Sequence, residues 1–80
     1  MPYIDPKNRR EVAEWRDPGC AGELSYAITC TLLRYFRDNG GRYQQVNDVL
    51  GALEGAKLEF YRRVVVPYED EKIRQNGDVY

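Results

Sequence analysis

Tyr61, Arg62 and Arg63 stand side by side in this sequence, and Tyr68 and Lys72 follow just past Pro67. Flat aromatic faces interleaved with cations suit one kind of chemistry, the capture of an anion. A Tyr ring can stack a base while an Arg fork engages phosphate through two parallel hydrogen bonds. Adjacent helical residues point about 100° apart, so one ligand meets Tyr61 and Arg62 together only near a helix end, where a proline turn returns Tyr68. Arg34 or Tyr26, from the second helix or from another subunit, would complete the site. The same residues also suit a solvated cap, because cations favour a helix C-terminus and Glu59 can pair with Arg63 at i, i+4. Both readings stand at this level, with Tyr26, Arg34, Tyr61, Arg62, Tyr68 and Lys72 as the candidate ligand-binding set.

Catalysis has little to work with. The chain contains no His, which removes the usual general base and the commonest metal ligand together. Glu54, with Asn47 and Lys57 beside it, could be read as a base, but a lone helical carboxylate without a nucleophile or metal ligand is poor evidence for an enzyme. Glu69, Asp70 and Glu71 are consecutive, so on a helix their carboxylates diverge, and their place near a helix start is explained by the dipole. Cys20 and Cys30 fit neither a zinc framework nor a CxxC redox motif and read as free thiols, Cys30 as a small buried hydrophobe. No catalytic residue, metal site or cofactor is expected.

Size and charge narrow the partners. Eighty residues allow one domain, residues 1–80, and a chain this short buries only roughly 60–65% of the surface it exposes when unfolded. Self-association would relieve that shortage. A formal charge of −1 and a pI near 5.4 argue against a DNA or RNA duplex binder, which carries a basic excess or stripe. No apolar run approaches the roughly 20 residues of a membrane span, and the first ten residues lack the apolar core of a secretory signal. The expected setting is cytoplasmic. Arg strongly outnumbers Lys, and Arg is the cation better shaped for carboxylate and phosphate.

The elements that must position these residues are helical. Met1 to Ile4 reads as a short arm that docks through Tyr3 and Ile4. Asp5 then Pro6 is a helix start, an N-cap acceptor before a residue preset for the first turn, and the helix should run to about Trp15 with Val12 and Trp15 inward. Asp17, Pro18 and Gly19 end it. A second helix should begin near Ala21 to Glu23 and end at Asn39, where Gly40 and Gly41 supply left-handed backbone. Leu24, Ile28, Leu32 and Phe36 form one stripe on it, widened by Ala27 and Tyr35, while Tyr26, Cys30 and Leu33 lie across the axis. Such a helix should be buried on more than one side.

A long third helix, about Gln44 to Val66, carries Val46, Val49, Leu53, Ala56, Phe60 and Val64 at spacings of three and four, the signature of one buried face. Gly51 and Gly55 cost about 1 kcal/mol each relative to Ala, so their spacing suggests close approach of another helix, or room for a ligand against the backbone. Pro67 should stop or kink this helix near Val66. A short fourth helix then follows, with Glu69 to Glu71 early, Lys72 and Arg74 late, Asn76 and Gly77 closing it, and Asp78 to Tyr80 as a tail.

The strings LEGAKLEFYRR and PYEDEKIRQNGDVY resemble a family of short proteins found in bacteriophages and bacterial genomes. The opening MPYI and, more loosely, GELSYAI share the likeness, with Ser25 where the pattern has Asn. Between Arg10 and Gly22 the chain departs from the pattern and is shorter. The resemblance covers about two thirds of the chain and implies a phage or prophage setting, a helical fold and no known enzymatic chemistry.

The expectation is therefore an all-α bundle of three or four helices with one long third helix, self-associating through the second and third helices. Its function is expected to be binding. One form is an oligomeric sponge that sequesters an anionic, nucleotide-like immune signal; the other is a module that engages a host or phage protein through its apolar faces.

Overall fold

Asp5 starts the first helix as its side chain requires, accepting a hydrogen bond from the Lys7 amide at 3.0 Å while its carbonyl accepts from Arg9. The computed structural model describes residues 5–14, with side chains as far as residue 10, and 17–80. The expected Met1–Ile4 arm and the inward placement of Val12 and Trp15 fall outside the described residues. Four α-helices follow in order: α1 (Pro6–Glu14), α2 (Ala21–Asp38), α3 (Tyr43–Phe60) and, after a wide π turn at Tyr61–Val65, α4 (Val66–Asn76). The described residues contain no strand, so the fold is all-α. No described helix is long and apolar enough to cross a membrane. Two compact units divide the chain, Met1–Val49 and Leu50–Tyr80.

In the first unit α1 packs along α2. Glu23 secures the start of α2 by accepting from the Gly19 amide at 2.9 Å, a carboxylate reaching back over the first turn. At the other end Asn39 sits at φ −110°, Gly40 at φ +111° and Gly41 at φ +61°, and the Gly41 amide bonds back to the Phe36 carbonyl at 2.8 Å. That is the glycine-dependent helix stop the sequence calls for. Gln45 then performs the task of Glu23 for α3, accepting from the Arg42 amide at 3.1 Å. Tyr35 crosses from α2 to α3 and donates its hydroxyl to Asp48 at 2.9 Å, which pushes the phenol pKa up.

The α2 seam differs from the expected stripe. Gly22, Glu23, Tyr26, Ala27 and Cys30 are half-buried, as are Leu32 and Phe36, whereas Leu24, Ile28 and Leu33 face solvent. Leu32, Phe36 and Ala27 of the expected stripe are thus partly covered, together with Tyr26 and Cys30 from across the axis. No described residue is fully buried.

The segment from Tyr43 onward corrects two expectations, the stop that was one of two outcomes expected of Pro67 and the burial of the apolar stripe. Pro67 does not stop the helix: α3, the π turn and α4 run on as one helical segment of 34 residues from Tyr43 to Asn76. Proline lacks an amide proton and its ring would strike the carbonyl four residues back. One wide turn relieves this, with the Val66 amide bonding to the Tyr61 carbonyl five residues earlier and Pro67 falling in the first turn of α4. The apolar stripe is the other correction. Val46 and Val49 are half-buried, but Leu53, Ala56, Phe60 and Val64 are exposed, at 41% for Leu53, 62% for Phe60 and 52% for Val64.

Gly51 and Gly55 lie well around the helix from that stripe, and a Cβ added at either would meet nothing within 4 Å. Among the described residues nothing makes the close approach expected there. Gly55→Ala should therefore raise stability by about 0.5–1 kcal/mol through helix propensity and a stiffer unfolded chain. Urea unfolding of the variant checks this, and a loss of stability would mean that the glycine face is in contact.

Candidate functional site

Glu59, in the last turn of α3, organises the cationic end of the helix. Arg62 reaches it with two nitrogens, Nη2 to Oε1 at 2.8 Å and Nε to Oε2 at 3.4 Å, and Arg63 adds Nε to Oε1 at 2.6 Å. The Glu59–Arg63 pair is the one i, i+4 spacing anticipates; the Arg62 fork at i, i+3 is additional. Arg62 first, then Arg63, holds the Glu59 carboxyl below the usual glutamate range. One carboxylate thus shares two guanidinium groups, all solvent-exposed, so water screens the pairing.

Tyr61 turns toward α4, its hydroxyl 3.4 and 3.5 Å from the two Glu69 carboxylate oxygens, a long and weak contact. On α4 the Lys72 ammonium stands 5.5 Å from the centre of the Tyr68 ring, so that face already carries a cation of its own chain. A groove of about 430 Å³ opens where the C-terminal tail passes α4, and its charged lining is Lys72 with Glu69 and Asp78. Two carboxylates to one ammonium do not favour an anion there.

Of the six sequence-derived residues, the structure joins Tyr68 to Lys72, links Tyr61 to α4 through Glu69, and turns Arg62 onto Glu59. Tyr26 and Arg34 belong to α2 of the first unit. Tyr26 is half-buried, and a hydrogen bond with Cys30 is the main cause of its raised phenol pKa. The pairing of Glu71 escaped notice in the sequence: it accepts from Arg74 Nη2 at 2.6 Å and Nε at 2.9 Å and from Gln75 at 3.1 Å. The i, i+3 and i, i+4 spacings could have found this cluster, but the non-local Tyr35–Asp48 bond has no local signal. Among the described residues no three His, Cys, Asp or Glu side chains gather as metal ligands.

A family model described as a domain of unknown function (DUF6899) matches residues 1–79. The chain belongs to that family. No curated protein and no solved structure matches it.

The Glu59 clamp has a measurable signature. A carboxylate whose folded pKa is lowered contributes stability that is fully present above its unfolded pKa and is lost as pH falls through the folded value. Carbon-13 NMR should show Glu59 titrating at lower pH than the usual glutamate range, and Arg62→Ala should move it back up. An unchanged midpoint in that variant would show that the fork does not form in solution.

Proposed function

We propose that this chain is a non-enzymatic binding protein of phage type, working in the host cytoplasm, whose working surface is the apolar face of the long helix and whose partner is a protein. The observation that carries this reading is the exposure of Leu53, Phe60 and Val64 in helical register. Scattered apolar residues on a surface need no explanation, but a continuous stripe at spacings of three or four does. Helix-in-groove recognition uses such anchors. The test is affinity purification of the wild-type chain beside a Leu53→Ser, Phe60→Ser variant. A protein that accompanies the first and not the second supports the reading; equal recovery with both overturns it.

A second reading keeps the oligomeric sponge for an anionic, nucleotide-like signal, with Tyr61, Arg62, Tyr68 and Lys72 as its reach and Tyr26 and Arg34 supplied by another part of the assembly. Its support is the stacked Tyr68–Lys72 pair, an aromatic face with a cation beside it. Its cost is that Arg62 must leave Glu59 to meet phosphate. Calorimetry with a panel of linear and cyclic nucleotides tests it. Binding lost in Arg62→Ala and partly restored by Arg62→Lys supports capture, because Lys keeps the charge and loses the fork.

A further inference from the structure

The stripe of the second unit is self-complementary, and from this we infer that its occupant is a second copy of this chain, paired antiparallel about a two-fold axis beside Ala56. The inference rests on the apolar-face reading above and commits it to one partner. Leu53 precedes Ala56 and Phe60 follows it, so the axis sets Leu53 against Phe60 of the partner subunit and Leu50 against Val64 of the partner subunit. The small Ala56 falls at the crossing, where two helices come closest. This is the arrangement an isologous interface demands, each large residue meeting its complement twice.

Charge follows the same axis. Glu54 and Lys57 lie on one flank of the stripe, 3.7 Å apart in an ion pair, one on either side of Ala56. The two-fold therefore brings each toward the opposite charge on the partner subunit. A parallel two-fold would instead carry the partner's Glu54 and the partner's Lys57 to the opposite flank, where they cannot meet these charges.

The open area is adequate for a reversible pair. Leu50 is 59% exposed, and Leu53, Phe60, Tyr61 and Val64 stand open beside it. With aromatic side chains of about 150–250 Å² each, this face offers on the order of 500 Å² per copy. Standard interfaces bury about 800 Å² per partner and transient ones less than about 600 Å². The glycine pair lies around the helix from this face and stays open.

Cysteine cross-linking of the full chain decides the matter. In a Cys20→Ser, Cys30→Ser background, Ala56→Cys should form a disulfide-linked dimer under mild oxidation, and Gly55→Cys, turned about 100° further from the face, should not. Dimer from Gly55→Cys alone would overturn the proposed face in favour of the glycines. If Ala56→Cys gives no dimer and hydrogen exchange shows Leu53 to Val64 protected in a monomer, the stripe folds back on its own chain, which also overturns the proposal. If the stripe stays unprotected and the Leu53→Ser, Phe60→Ser variant still loses a captured protein, the second copy is excluded while the apolar-face reading survives. If no protein is lost either, both fail.

Discussion

Phe60→Ser should leave the helix intact and abolish self-association at micromolar concentration. In the single chain Phe60 is 62% exposed at the end of α3, so its removal disturbs little internal packing. Serine and phenylalanine have nearly equal helix propensity, and circular dichroism of the diluted variant should match the wild type. In the paired form Phe60 is the large apolar side chain that sits against Leu53 of the partner subunit, twice per dimer. Buried aromatic anchors at interface centres cost about 2–4 kcal/mol on truncation, which is roughly 30- to 1,000-fold in dissociation constant. Sedimentation equilibrium reads this directly. A variant that dimerises as the wild type does would remove Phe60 from the interface.

The largest effect on folding should come from Gly40, at the turn between α2 and α3. Its φ of +111° lies beyond the left-handed region that Asn or Asp tolerate, and a β-branched residue is strained there whatever the space around it. Gly40→Val should cost about 2–3 kcal/mol, the upper part of the range for a residue held in a sparsely populated conformation. For a chain of this size each kcal/mol lowers the melting temperature by about 4–8 °C, so the fall should exceed about 8 °C. Gly41 is the internal comparison. Its φ of +61° is ordinary left-handed backbone, and a Cβ there would stand 3.4 Å from Phe36 Cε2, so Gly41→Ala should cost less than Gly40→Val. A Gly40→Val variant that melts with the wild type would mean that the turn relaxes to another conformation.

The parts of this fold that the sequence made legible are those decided within a few residues. Asp5 beside Pro6, Gly40 with Gly41, and Glu59 four residues before Arg63 each act through local geometry, and each stands as expected. Pro67 was less transparent because its effect depends on whether the preceding turn can widen, and Tyr61 to Val65 widen into a π turn. The stripe from Leu53 to Val64 was legible as a pattern but not as a buried face. Periodicity identifies which side of a helix is apolar; it says nothing of what covers it. The candidate site was legible in its residue types but not in their pairing. Residue types named Arg62 and Tyr68 as reaching groups, whereas Glu59 and Lys72 already occupy them, and neither competition is weighed by composition.

Contact between Leu53 of one copy and Phe60 of another is the most direct test of the apolar face as a self-pairing surface. Seven residues apart on one helix, the two side chains are separated by roughly 10 Å along the axis, too far for a nuclear Overhauser effect within a chain. In a mixed sample of isotopically labelled and unlabelled protein, an isotope-filtered experiment should show cross-peaks from the Leu53 methyls to the Phe60 ring. Their absence at submillimolar concentration would contradict antiparallel pairing across Ala56.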